Sequence, residues 1–153
     1  RAKAAGAAGI NMEDRLPGAA GLLPVAEAAA RYPAAADTGI FVNARCDTFR
    51  GADAAKDGDA LVTATLERAR AYADAGAGSL FVPFLLDPKC IGAICDASPL
   101  PVNILRGRGG PTHAKLAALG VARISHGHQP WAAAMAWLAA QAGQVIGGAE
   151  PDY

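Results

Sequence analysis

Five times in 153 residues, a short apolar segment is followed by a polar or glycine-rich turn and then by an alanine-rich segment with helical spacing. The apolar segments are residues 8–12, 39–44, 79–83, 101–105 and 121–125. Unbroken apolar triplets within two of them are typical of parallel strands that are covered on both faces. Parallel strands joined by crossover helices form either an open doubly wound sheet or part of a (β/α)8 barrel.

Two features of the sequence bear on the choice between these architectures: the position of its glycine-rich motif and the length of the chain. A dinucleotide fingerprint would favour the open sheet, but Gly6 and Gly9 precede their strand instead of following it. A complete barrel usually needs about 250 residues. The sequence therefore predicts a single α/β domain over residues 1–153 that carries five parallel βα units of a partial (β/α)8 TIM barrel.

The helices between the strands are predicted from apolar spacing and end signals, and they span residues 24–36, 59–75, 89–96, 112–119 and 130–142. We expect Pro33 to limit or kink the end of the first helix. Gly76 can supply the left-handed stop of the second helix, and Thr112 can cap the fourth. Residues 47–59 are then a polar loop at the mouth of the barrel.

Charge and cysteine content exclude several classes of protein. Fourteen basic and fourteen acidic residues are scattered along the chain, so no basic stripe favours nucleic acid. No apolar run approaches the ~20 residues that cross a bilayer, and we expect no membrane partner. The three cysteines (Cys46, Cys90 and Cys95) are odd in number and lack Cys-x-x-Cys spacing. This pattern predicts a cytoplasmic protein without structural disulfides or zinc.

Polar residues follow the first two predicted strands directly, where α/β proteins keep their active sites. The guanidinium of Arg45 is a forked donor suited to a carboxylate or a phosphonate. Alternatively, Arg45 pairs with Asp47 or Asp14 in a structural ion network. Because neighbouring strand residues face opposite ways, one of Glu13 and Asp14 can face the barrel mouth while the other faces the helices. We interpret Asp14 as structural.

Two loops carry weaker signals. The segment 106–110 (RGRGG) is either an anion-binding turn, as barrels often have near their last two strands, or a mobile surface turn. His126 and His128 could chelate a metal, but no third ligand lies at helical spacing, so a solvated loop is favoured.

A cysteine and three large apolar residues also need an interpretation. A nearby cation could lower the pKa of Cys46, although packing behind Arg45 suits its position on the strand better. Trp131, Met135 and Trp137 in the last helix are interpreted as core or as a subunit contact.

Five segments, in this order along the chain, resemble motifs of the isocitrate lyase/phosphoenolpyruvate mutase superfamily: 9–14 (GINMED), 41–47 (FVNARCD), 75–83 (AGAGSLFVP), 101–105 (PVNIL) and 120–125 (GVARIS). By this resemblance they are strands four to eight of the barrel, and the chain is its carboxyl-terminal portion. The aspartate-rich third strand, whose carboxylates hold Mg2+ in that family, is not in this sequence.

The resemblance implies a Mg2+-dependent lyase or phosphonomutase that makes or breaks C–C or C–P bonds in a small 2-oxo or 2-hydroxy acid through an enolate-like intermediate. Glu13 matches the family's glutamate that supports the metal through water, and Arg45 matches the arginine that binds the substrate carboxylate. Asn103 lies where some members have a substrate-binding asparagine. The final helix in that family packs onto a neighbouring subunit, which implies a homo-oligomer.

Two departures from the family pattern limit which of the superfamily's activities we expect. The loop 15–21 has neither cysteine nor histidine, so a Cys-dependent isocitrate or methylisocitrate lyase is not expected. Phe84 follows Pro83 where lyases tend to have glutamate. The alternative function is a non-catalytic barrel fragment or assembly partner, because five strands leave 8–12 and 121–125 as unpaired edges. A flavodoxin-like binding module, a third possibility, has no motif in its favour.

Overall fold

A single five-stranded parallel sheet forms the centre of the computed structural model, which describes all residues from Arg1 to Tyr153. Its strands are β1 (Gly9–Glu13), β2 (Phe41–Arg45), β3 (Ser79–Val82), β4 (Val102–Leu105) and β5 (Arg123–Ser125). They lie side by side in chain order, and every neighbouring pair is parallel. A doubly wound sheet reverses its strand order at a switch point, whereas a barrel does not. The predicted partial barrel of five parallel units is therefore confirmed.

Helices cover one face of this sheet. They are α1 (Val25–Ala29), α2 (Pro33–Ala36), α3 (Ala54–Asp74), α4 (Pro88–Ala97), α5 (His113–Ala118) and α6 (Gln129–Ile146), preceded by a 3-10 turn at Lys3–Ala5. Alternate strand residues such as Val42, Leu80 and Ile104 share a buried core with Ile91 of α4 and Leu116 of α5. None of the helices combines the length and the apolar character that crossing a bilayer requires.

Three predicted helices have wrong bounds, and the last of them continues to Ile146 instead of ending at residue 142. The predicted helix 24–36 is two short helices, because Pro33 begins α2 instead of only ending α1. The helix predicted to begin at residue 59 begins at Ala54, since the Asp53 carboxylate accepts a hydrogen bond from the Ala55 N–H at 3.0 Å and caps the first turn. Residues 54–59 of the polar loop predicted after β2 are therefore helix.

The core that the helices share with the sheet lies on one face only, and the opposite face forms the concave inner side of the sheet. The side chains of this inner face come from the other set of alternate strand residues, including Asn43 and Phe81. Gly9 of β1, Phe41 of β2 and Arg123 of β5 line one cavity of about 380 Å³ on this face. Residues from both edges of the sheet meet there, so the sheet is curved as in a barrel. β1 and β5 have no further neighbour and remain free edges.

The last helix presents large apolar side chains to solvent. Trp131 is 65% exposed, and Met135, Trp137 and Leu138 are also exposed. The interpretation of this stripe as core is therefore wrong, and the subunit contact stays a prediction.

Candidate functional site

Glu13 and Arg45 meet at the carboxyl ends of β1 and β2. The two residues are partners in the parallel register, so their side chains leave the sheet on the same face. The Arg45 Nη1 donates to Glu13 Oε1 at 2.8 Å. The Glu13 side chain keeps 46% of its surface exposed, whereas that of Arg45 keeps 19%.

The buried carboxylate of Asp47 also binds Arg45. The Nε and Nη2 groups of Arg45 donate to the two oxygens of Asp47 at 2.7 and 3.0 Å. This is the forked geometry in which an arginine and a carboxylate bind most specifically. Burial alone would lower the pKa of Arg45, but the hydrogen bond and charge of Asp47, helped by Glu13, raise it. The alternative pairing of Arg45 with Asp47 therefore exists, while Asp14 makes no direct pair with it.

The hydrogen-bonding capacity of Arg45 is not exhausted by these contacts. A guanidinium has five N–H donors, and only three of them are used, one each on Nε, Nη1 and Nη2. One N–H on Nη1 and one on Nη2 remain. Asp47 occupies the edge that contains Nε, so these two N–H groups are the donors left for a second carboxylate or a phosphonate.

Phe84 and Arg50 also border this arginine, and sequence reasoning did not assign either of them to the site. The Phe84 ring centre lies 5.9 Å from Arg45 Cζ and 5.2 Å from Arg50 Cζ, within the range of a cation–π contact. The Arg50 Nη1 lies 3.5 Å from an oxygen of Asp47. Phe84 is the one non-glycine residue with a positive φ, 68°, which is strained for a bulky side chain. Nothing in the sequence besides the Pro83-Phe84 departure pointed to it.

Asp14 faces the opposite side of the sheet from Glu13 and is fully buried. One of its oxygens accepts from the Tyr72 hydroxyl at 2.9 Å and from Arg68 Nη1 at 3.2 Å, and the other accepts from the Asp47 N–H at 3.0 Å. Burial and then the charge of Asp14 raise the pKa of Tyr72, which therefore stays protonated and donates to Asp14. These contacts agree with a structural role for Asp14.

Asn103 lies on the same face as Arg45, but β3 separates the two residues. In the register, Phe81 stands between them. The Asn103 Oδ1 accepts from the Ser125 hydroxyl at 3.1 Å, whereas its buried Nδ2 has no partner. The structure thus brings Glu13 and Arg45 into contact and leaves Asn103 apart from them, buried on the same face.

The weaker candidates make local contacts. Cys46 is buried behind Arg45, in agreement with a packing role. Burial, followed by the charge of Asp14, raises its pKa to about 12. The ring of His126 contacts that of His113 edge to face, with their centres 5.3 Å apart. Nowhere in the chain do three or more His, Cys, Asp or Glu side chains gather as a metal site. The turn at 106–110 is closed by a hydrogen bond from the Gly110 N–H to the Gly107 carbonyl.

Comparisons with known proteins agree with this architecture. Residues 1–146 match the family model of phosphoenolpyruvate phosphomutase. An uncharacterized protein of Mycobacterium tuberculosis is 39% identical over 148 residues, which are 94% of this chain and 53% of that protein. A crystal structure from Burkholderia cenocepacia, provisionally described as a phosphonomutase, is 50% identical with a TM-score of 0.87, over 93% of this chain and 59% of that one.

A second Burkholderia cenocepacia structure, provisionally described as a lyase/mutase, is 31% identical with a TM-score of 0.78. It is matched over 95% of this chain and 53% of that one. The chain therefore spans about half the length of the relatives it matches.

Proposed function

The chain belongs to the phosphoenolpyruvate phosphomutase family, and we propose that it supplies the carboxylate-binding part of a lyase or phosphonomutase site. The observation that carries this proposal is the hydrogen bonding and position of Arg45. Two of its N–H donors are free, its other edge is fixed by the buried Asp47, and it lies at the carboxyl edge of the sheet. This is the edge at which barrels perform their chemistry.

The proposed substrate is a small 2-oxo or 2-hydroxy acid whose C–C or C–P bond is made or broken through an enolate-like intermediate. Arg45 anchors the carboxylate with its two free N–H groups. A fixed guanidinium also stabilises negative charge that develops on the neighbouring enolate oxygen, because it needs no reorganisation during the reaction. Asn103 donates its free Nδ2 to a substrate oxygen, a role supported by the cost of leaving a buried amide unpaired.

Mg2+ is the proposed cofactor of the complete site, where it would act as a Lewis acid toward the substrate oxygens. Glu13 fits an outer position, in which its half-exposed carboxylate accepts from a metal-bound water. The other nearby carboxylates, Asp14 and Asp47, are buried and fully engaged with protein donors. The donor set of this chain alone does not complete a magnesium site, so we derive no catalytic step through the metal.

Isothermal titration of the purified chain with oxalate, pyruvate and phosphonopyruvate tests the proposal. We expect saturable binding at one site, with oxalate and phosphonopyruvate favoured over pyruvate because they carry a second anionic group. The Nε–H resonance of Arg45 should shift along the same binding curve. If none of the three acids binds, with or without Mg2+, the proposed function is wrong.

A second candidate, a non-catalytic barrel fragment or assembly partner, is favoured by the free edges of β1 and β5 and by the unpartnered Asn103 Nδ2. Exposed strand edges pair readily with other chains. This candidate predicts that neither turnover nor ligand binding occurs until a complementary segment is added. Ligand binding by the isolated chain would exclude it.

We also propose a cytoplasmic homo-oligomer that assembles through α6. The exposed side chains of Trp131, Met135 and Leu138 support this contact, since apolar patches rimmed by polar residues mark interaction sites. Leu138→Glu is expected to shift the sedimentation coefficient from dimer toward monomer. Ala140→Glu, at an exposed position on the opposite side of the same helix, adds the same charge and should leave the dimer intact. A wild-type chain that sediments as a monomer at micromolar concentration would contradict the proposal.

A further inference from the structure

Asp47 is placed so that it cannot touch a ligand itself. Its side chain has no exposed surface, and each of its two oxygens already accepts a hydrogen bond from Arg45. Arg50 approaches one of these oxygens from the solvent side, at 3.5 Å. Any effect of Asp47 on a bound acid must therefore be transmitted through Arg45.

Asp47 is itself fixed from the side of the helices. Its backbone N–H donates to Asp14 Oδ1 at 3.0 Å, and the other oxygen of Asp14 accepts from Arg68 and Tyr72 of α3. A continuous series of hydrogen bonds thus joins α3 to the guanidinium of Arg45. A flexible arginine held in this way loses little further conformational freedom when it binds a ligand.

We propose that Asp47 is the positioning residue of the carboxylate site: it clamps one edge of Arg45 so that the other edge faces the ligand carboxylate. This inference rests on the proposed function, and it specifies how the arginine achieves affinity. The ligand class is an acid whose carboxylate or phosphonate accepts the N–H groups that remain on Nη1 and Nη2 of Arg45.

An orienting role for Asp47 and a purely electrostatic effect predict opposite changes in ligand affinity when the charge of Asp47 is removed. The negative charge of Asp47 lies beside a site for an anion, so electrostatics alone predicts that neutralising it tightens binding. If Asp47 acts by orienting Arg45, the same substitution loosens the guanidinium and weakens binding. The direction of the change therefore separates the two explanations.

The experiment titrates the full chain with oxalate and compares Asp47→Asn with Asp74→Asn. Asp74 undergoes the same change of charge at an exposed position at the far end of α3, and its variant should bind like the unaltered chain. We expect Asp47→Asn to weaken oxalate binding by about tenfold or more, because one oriented charge-assisted pair is lost. Equal or tighter binding by Asp47→Asn would overturn the inference.

A spectroscopic measurement on the unaltered chain covers the case in which Asp47→Asn does not fold. The Nε–H of Arg45 should exchange with water at least about tenfold more slowly than that of the exposed Arg108, because it donates to a buried carboxylate. Exchange as fast as that of Arg108 would overturn the positioning role. If the unaltered chain binds no acid, the proposed function itself is wrong. That outcome is distinguished from failure of the positioning role because it needs no variant.

Discussion

Replacing Asp14 with alanine is expected to lower the free energy of unfolding by about 3–5 kcal/mol, because it leaves a charged arginine in the interior without its partner. Arg68 is mostly buried and donates to Asp14, to the Tyr72 hydroxyl and to the Leu23 carbonyl. The substitution also removes the acceptor of the Asp47 N–H. Urea denaturation followed by far-UV circular dichroism measures the loss, since both tryptophans lie on the exposed last helix.

A second substitution distinguishes the cost of an unpaired buried charge from the cost of lost packing in Asp14→Ala. In the double variant Asp14→Ala with Arg68→Met, no unpaired charge is buried, so the combined destabilisation should be clearly smaller than the sum of the two single effects. Additive effects would mean that the two side chains stabilise the protein independently. A change below about 1 kcal/mol for Asp14→Ala alone would contradict the buried ion pair.

The strands could be predicted because their signals are local, whereas one helix start could not. Apolar triplets between turn residues mark β2 and β3 in the sequence itself. The start of α3 was predicted five residues too late, and Gly58 lies inside the helix. In the structure, a Cβ at this position would lie 3.0 Å from the Cys90 sulfur, so the glycine permits close packing of α3 on α4 within a continuous helix. Sequence pattern does not contain that tertiary contact.

The candidate site likewise has features that the sequence predicts and features that it does not. That Glu13 and Arg45 share one edge of the sheet follows from their positions at strand ends. The anchoring of Asp14 by Arg68 and Tyr72 joins residues 54 and 58 positions apart, and no periodicity links them. The positive φ of Phe84 is likewise a backbone property that only the contacts around β3 determine. Sequence therefore locates the edge of the sheet that carries the candidate site but not the residues that hold Arg45 in place.

Substituting Arg45 should have the largest effect on ligand binding, and the choice of residue distinguishes charge from geometry. Lysine keeps the positive charge but lacks the fork, so Arg45→Lys can satisfy neither Asp47 nor a ligand carboxylate with paired donors. We expect it to weaken oxalate binding by roughly 10- to 100-fold, the equivalent of about 1.5–3 kcal/mol for a charge-assisted hydrogen bond. Arg45→Met should abolish measurable binding.

The matched control for both variants is Arg108, which is exposed on the turn after β4 and makes no ion pair. Arg108→Met removes the same charge from the same edge of the sheet. If long-range attraction dominated, Arg108→Met and Arg45→Met would weaken oxalate binding alike, and raising the salt concentration would erase the difference between the unaltered chain and either variant. If the fork on Arg45 is the binding element, Arg108→Met binds oxalate almost normally, and the deficit of Arg45→Lys persists at high salt.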